Sequence, residues 1–198
     1  MIDNIFTAAI NRTRLNAGVK RYQSVVEDIF RTSLGDISLS AFTTYSNHIR
    51  YWYGIAHESY DPSDINSFAF VCSELANTKS NIIFHTKKKL FSPEDGLYLA
   101  VHEMAHLGHK LRLSEIYDKL PESHHELIVD MVAAYVTKDM NTEELHPTLQ
   151  HWHHFSQKAI AAFGSFEDMI SEELLYCSLF TYVEQKHPSV MKQLLETP

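Results

Sequence analysis

The chain has 198 residues, of which 44% are apolar and 21% are charged, and its net charge is −8 with histidine neutral. These values are typical of one globular domain, and the acidic balance argues against partners that need a basic protein surface, such as nucleic acid or an acidic membrane. Cys72 and Cys177 are its only cysteines, which excludes a disulfide-rich secreted scaffold.

The first half of the chain changes from a helical to an extended pattern. Apolar spacing predicts helices over residues 2–17 and 19–34, with Gly35 as the stop. From residue 37 to residue 91, β-branched and aromatic residues alternate with polar turns, which predicts a small mixed sheet. The extended segments are Ile49–Ile55, Phe68–Cys72 and Asn81–His85.

The second half is predicted to be helical throughout. Ser92 is a typical N-cap, Pro93 suits the first helical position, and Asp95 supplies an acid at the third. The order of elements predicts an α+β fold that is predominantly helical, with a small sheet followed by helices. The later helices are expected at residues 113–119, 122–140, 143–163 and 166–186.

No segment resembles a membrane anchor or a leader. No apolar run reaches the ~18–20 residues of a membrane helix. The N-terminal residues MIDNIFTAAINRTRLN lack the basic region and long apolar stretch of a signal peptide. We therefore expect a cytoplasmic protein without membrane contacts, and a signal-less secretion route is the alternative.

Histidine is unusually frequent, with 13 residues in the chain. Imidazole is the commonest protein ligand for zinc, although a set of solvent-facing side chains is the simpler interpretation. The informative segment is His102-Glu103-Met104-Ala105-His106, an H-E-x-x-H motif that begins ten residues after Ser92, or nearly three helical turns. On a helix, residues four apart differ by only ~40° in direction, so His102 and His106 can share one Zn²⁺ while Glu103 serves as general base.

A catalytic zinc needs a third protein ligand and one open position. Glu126 and Asp130 lie four residues apart in the largely apolar helical stretch 123–136. Buried carboxylates are unfavourable unless they are paired or bind a metal, so either residue is a candidate for the third ligand. The alternative interpretation is a surface acid pair.

The segment from about residue 80 to residue 137 resembles the gluzincin group of zinc metallopeptidases. In thermolysin-like members, a glutamate ligand follows the second motif histidine by about twenty residues, and an aspartate that orients the first histidine comes four residues later. Those positions are Glu126 and Asp130 here, within the run ELIVDMVAAYV. The compact layout is similar to the ImmA/IrrE-like peptidases. Metzincins fit poorly, because they need Gly and His where this chain has His109 and Arg112.

The resemblance implies a zincin-like domain over residues 1–198. One Zn²⁺ per chain would be held by His102, His106 and Glu126, with Glu103 as the catalytic base and Asp130 behind His102. The segments are N-terminal helices (1–35), a small sheet (37–91), metal-site helices (92–140) and C-terminal helices (141–198).

Further residues are candidates for stabilising the oxyanion or lining the pocket. They are His109, Tyr135, His151, His153 and His154, with Tyr176 and Tyr182 as alternatives. The histidines of the HWHH cluster, 151, 153 and 154, are also candidates for a second metal site. His124 and His125 are expected to be solvated, and the alternative is that one of them lines the site.

The leading hypothesis is a zinc-dependent metalloendopeptidase that acts on a protein or peptide substrate. The substrate is expected to add a strand to an edge strand at Asn81–Lys88. The alternatives are a zinc hydrolase of a non-peptide substrate and a non-catalytic interaction protein on the same scaffold. The intact Glu103 counts against the last of these.

Overall fold

The computed structural model describes residues 2–42, 69–73, 79–85, 92–113, 119 and 122–163. Within these residues the fold is predominantly helical with a small sheet, which confirms the predicted α+β class. The extended segment 49–55, the predicted helix 166–186 and most of the predicted helix 113–119 lie outside the described residues. The elements are α1 (Ile2–Phe30), β1 (Asp36–Phe42), β2 (Ala69–Ser73), β3 (Lys79–His85), α2 (Pro93–Arg112), α3 (Glu122–Val136), a 3₁₀ helix (Thr142–Glu144) and α4 (Pro147–Phe163).

The N-terminal segment is one continuous helix, so the prediction of two helices is wrong. Gly18 lies within α1 without ending it. Helix α2 comes close to α1 at this position because glycine has no Cβ, and a Cβ there would lie 2.9 Å from Leu97 Cδ1. A second close approach occurs at Gly108 of α2, where a Cβ would lie 2.5 Å from Phe30 Cδ2. The helix ends at Phe30 rather than at residue 34, since Arg31 takes a left-handed conformation with φ 51°.

The three described strands form a mixed sheet, as predicted, and their order is β1-β3-β2, which the sequence did not predict. Strand β3 pairs in parallel with β1 and antiparallel with β2. The expectation that Asn81–Lys88 forms an edge is therefore wrong for the described residues of this segment, because β3 is the central strand. Strand β1 was not predicted, although Ile37 and Leu39 alternate with polar residues as in a half-buried strand.

Helix α2 begins as predicted, and α3 and α4 are shorter than predicted. Helix α3 stops at Val136, and the Thr137 hydroxyl donates to the carbonyl of Ala133 at 2.6 Å. Beyond it, Asn141 caps a single 3₁₀ turn before α4 starts at Pro147. Proline suits a first helical position and disfavours helix in the residue before it, which separates the two elements.

The core lies where α2 packs against α1 and α3, and α3 also packs against α4. Fully buried side chains from all four of these helices meet there. This packing holds α2 and α3 side by side. The largest of the buried apolar residues are Phe30, Leu34, Ile82, Tyr98, Met104, Ile128, Met131 and Leu149.

In the described part of the chain, no helix has the length and apolar character that crossing a bilayer requires.

Candidate metal centre

A capping box fixes the start of α2 and therefore the positions of the motif residues. The Ser92 hydroxyl accepts from the Asp95 amide at 3.0 Å, and the Ser92 amide donates to Oδ2 of Asp95 at 3.2 Å. The other carboxylate oxygen of Asp95 accepts from the amide of His146 at 2.6 Å. One buried carboxylate thus ties the first turn of α2 to the residue before α4.

Two histidines from α2 and a carboxylate from α3 converge. Nε2 of His102 lies 3.2 Å from Nε2 of His106. The carboxylate of Glu126 places one oxygen 3.6 Å from Nε2 of His102 and the other 3.3 Å from Nε2 of His106. Among the described residues, this is the one group of three or more His, Cys, Asp or Glu side chains whose ligand atoms all lie within 4.8 Å of one another.

These distances fit a tetrahedral metal. Bonds of ~2.0–2.2 Å to nitrogen and oxygen place neighbouring ligand atoms of a tetrahedral Zn²⁺ ~3.3–3.6 Å apart. The observed separations of 3.2, 3.3 and 3.6 Å match those edges. Two imidazoles and one carboxylate are also a donor set found in catalytic zinc sites. The residues present therefore fit a zinc ion with one position left for water or substrate.

Exposure increases across the three side chains. The exposed fraction is 9% for His102, 17% for His106 and 50% for Glu126. The imidazoles close one side of the group, and the carboxylate lies toward solvent. A reactant can reach the group from the Glu126 side.

Asp130 stands behind His102. Its Oδ1 lies 2.9 Å from Nδ1 of His102, although the ring N–H does not point straight at the oxygen. A carboxylate at this position favours a proton on Nδ1, which leaves the Nε2 lone pair for a metal. Asp130 thus lies at Nδ1 of His102, whereas Glu126 faces Nε2 of the same ring.

The carboxylates create a field that favours positive charge. Burial alone would lower the pKa of His102, but contact with Asp130 and its charge, followed by the charges of Glu103 and Glu126, raises it to about 9. Burial alone would raise the pKa of Glu126, but the hydrogen bond and charge of His106, with the charges of His102 and His125, lower it. The same field suits a divalent cation.

Glu103 is 7% exposed and lies outside the group of converging ligand atoms. Its charge reaches His102, as the pKa of that histidine shows. The position next to a ligand, without being one, is what a general base on a metal-activated water requires.

His109 occupies the core rather than the ligand group. It is fully buried, stacks on Phe30 with ring centroids 5.9 Å apart, and meets the His125 ring edge-on at 5.2 Å. The expectation that His125 is solvated is wrong, since only 8% of it is exposed. The largely apolar sequence that follows His125 was the feature that could have predicted its burial. The side chain of His124 lies outside the described residues.

The other candidate pocket residues are Tyr135 and the HWHH histidines, and none of them belongs to the group of converging ligand atoms. Tyr135 is half-buried, with Lys138 Nζ 5.1 Å from its ring centroid. His151 and His154 are exposed and line a cavity of about 530 Å³ between the end of α3 and the start of α4. His153 also lines it but is 5% exposed. The ligand atoms of the HWHH histidines do not converge as a metal group, and Tyr176 and Tyr182 lie outside the described residues.

Tyr98 was not singled out from the sequence, although it precedes His102 by four residues and so shares its face of α2. It is fully buried, and its ring is tilted against that of His153 with centroids 5.8 Å apart.

Comparison of the chain with protein-family models, curated protein sequences and solved structures finds no match.

Proposed function

We propose that this protein is a zinc-dependent metalloendopeptidase of gluzincin type with a zincin-like fold. His102, His106 and Glu126 would hold one Zn²⁺ per chain. The observation that carries the proposal is the convergence of their ligand atoms at 3.2–3.6 Å, from two helices, with Asp130 against the far ring nitrogen of His102.

The chain's own residues divide the chemistry. A bound Zn²⁺ supplies Lewis acidity and lowers the pKa of water at its open position. Glu103 takes the proton from the attacking water and passes it to the leaving amine. Asp130 holds the ring of His102, so that Nε2 rather than Nδ1 faces the metal.

A protein or peptide substrate would enter from the side of Glu126, where the site is exposed. An extended peptide binds by adding a strand to a sheet edge. Because β3 is central, the pairing would use an outer strand. Strand β2 is an outer strand of the described sheet and contacts α2, which favours this edge.

The test is hydrolysis of a mixed peptide library by the zinc-loaded protein. Glu103→Gln should retain zinc and lose ~10²–10⁴-fold in turnover, because only the proton transfer is removed. Glu143→Gln, on the exposed 3₁₀ turn, is the matched control and should keep full activity. Peptide cleavage by Glu103→Gln at the wild-type rate would refute the role of the base. Ester hydrolysis without peptide cleavage would favour the non-peptide hydrolase.

A further inference from the structure

The cavity between the end of α3 and the start of α4 is separate from the metal centre. Its volume is about 530 Å³, within the ~300–1,000 Å³ of small-molecule pockets. Val136 ends α3 ten residues after Glu126, so the end of the helix lies ~15 Å along its axis from the candidate ligand. No Asp or Glu belongs to the described lining of the cavity. The polar side chains that line it include Lys138, Thr142, Gln150, His151, His153 and His154.

Lys138 brings a positive charge to the cavity. Its Nζ lies 5.1 Å from the centroid of the Tyr135 ring, and it forms no ion pair with any described residue. The exposed acids that follow it in the chain, Asp139, Glu143 and Glu144, do not line the cavity. The charge of the lysine is therefore available to a ligand of opposite sign.

The backbone acceptors at the end of α3 are already in use. The carbonyl of Ala134 accepts from Nε2 of Gln157 at 2.5 Å. The hydroxyl of Thr137 donates to the carbonyl of Ala133 at 2.6 Å, and the carbonyl of Thr137 accepts from the amide of Met140 at 2.9 Å. These contacts offset the partial negative charge that a helix C-terminus carries. The end of α3 therefore does little to repel an anion.

Helix α4 begins at the same cavity. Pro147 and Gln150 of its first turn line the cavity, and that turn contains no acidic residue. The free amide groups at a helix N-terminus carry partial positive charge and favour a bound anion. The carboxylate of Asp95 reaches the amide of His146, just before the helix, but Asp95 is not among the lining residues.

Three imidazoles belong to the lining. His151 and His154 are exposed, and neither forms a hydrogen bond within the described part of the chain. His153 is 5% exposed, and its Nε2 is buried without a hydrogen-bond partner there. Burial and the charge of His154 lower the pKa of His153, against a backbone contact with Thr137. No carboxylate stabilises positive charge on these rings, so that role is open to a ligand.

We propose that this cavity is a binding site for a small organic anion that carries a phosphate or carboxylate group. Lys138 would supply the counter-charge, and Gln150 and His151 would donate hydrogen bonds to the oxygens of the anion. The cavity holds more than an inorganic ion, and the apolar side chains of Met140 and Pro147 offer contacts to a carbon skeleton. The inference does not depend on zinc, because none of these residues is a proposed metal ligand.

The experiment titrates the whole chain with glycerol 3-phosphate, with glutarate and with uncharged glycerol, and follows the imidazole signals by NMR. At least one of the two anions should bind with a dissociation constant of ~1 mM or lower, and glycerol should not bind. Binding of glycerol 3-phosphate alone would assign a phosphate ligand, and binding of glutarate alone a carboxylate ligand. Binding of both would assign a site that accepts either group. Binding of neither anion would overturn the inference.

Three variants locate the bound anion. Gln150→Glu should weaken its binding about tenfold, because the variant adds a like charge to the lining. An acid in the first turn of a helix is favourable, so urea unfolding should show this variant at least as stable as wild type. Lys138→Gln should weaken binding about fivefold. Lys158→Gln, at an exposed lysine of α4 outside the lining, is the matched control and should bind as wild type.

Equal anion affinity of wild type and Gln150→Glu would overturn the inference, because the anion would then bind elsewhere. Binding that appears only after zinc loading would also overturn it, since the metal would then be the partner of the anion. Failure of the chain to take up zinc would overturn the proposed function and would leave the expected anion binding unchanged.

Discussion

Two histidine-rich regions of this molecule use their imidazoles differently. On α2, His102 and His106 are four residues apart, and their Nε2 atoms lie 3.2 Å from each other. On α4, His151 and His154 are exposed, whereas His153 is buried against Tyr98. An α-helix advances ~100° per residue, so positions four apart point within ~40° of each other and positions two apart point ~160° away. Histidine content alone therefore does not make a metal site.

The two histidine-rich regions also differ in the carboxylates that surround them. Glu126 and Asp130 from α3 face the α2 histidines. The described residues that line the cavity beside α4 include Lys138 but no Asp or Glu. Burial, aided by the charge of His154, lowers the pKa of His153, in contrast to the raised pKa of His102. The surroundings of His102 thus favour positive charge, and those of His153 oppose it.

The largest expected effect is the loss of zinc from Glu126→Ala. This change removes a direct ligand, so zinc affinity should fall by more than ~100-fold, beyond the ~10–100-fold typical of groups that only orient ligands. Chelator competition measures it, with the exposed Glu143→Ala as the control. Retention of zinc by Glu126→Ala together with its loss from Asp130→Ala would exchange the two roles. Retention by both would place the third ligand elsewhere.

Asp130→Asn should have an intermediate effect. The substitution leaves three ligands but removes the charge next to Nδ1 of His102, so zinc affinity or activity should fall by ~10–100-fold. The same competition assay measures it. A fall as large as that of Glu126→Ala would indicate a direct bond to the metal, and no change would remove Asp130 from the site.

Asp95→Ala should weaken the link between the two regions without removing a ligand. Its carboxylate accepts from the amides of Ser92 and His146, so its loss should lower the free energy of unfolding by roughly 1–3 kcal/mol. Urea unfolding of the metal-free protein measures this, with Asp139→Ala in an exposed turn as the control. Equal stability of the two variants would contradict the assigned role.

The smallest effect belongs to the second region. A double variant, His151→Gln with His154→Gln, should bind the same amount of zinc as wild type with unchanged affinity. Both side chains are exposed, and their ligand atoms do not converge with a third group. Metal analysis after removal of loosely bound zinc measures the stoichiometry. Loss of one equivalent from a protein that held two would establish a second site.

The sequence predicts features that depend on local spacing and fails where long-range pairing decides. The capping box at Ser92 and the shared face of His102 and His106 follow from positions three and four apart. The central position of β3 depends on β1, which is far away in the chain, and the sequence does not specify that pairing. Continuity of α1 through Gly18 depends on contact with Leu97 of another helix.

The candidate site shows the same difference between local spacing, which the sequence predicts, and packing between helices, which it does not. The resemblance implies that Glu126 is a ligand and that Asp130 lies behind His102, and the structure brings Glu126 to Nε2 and Asp130 to Nδ1 of that histidine. The burial of His125 follows from how α3 packs against α2, and the neighbourhood of Tyr98 from its ring contact with His153 of α4. A periodic pattern predicts which residues share a helix face, but not what the next helix presents to that face.

The most direct test of the account is X-ray absorption at the zinc edge on protein loaded with zinc and freed of excess metal. We expect one Zn²⁺ per chain with only nitrogen and oxygen neighbours, two of them imidazole. This spectrum should be lost in the His102→Ala variant. A protein that takes up no zinc, or one whose zinc is bound through sulfur, would contradict the account.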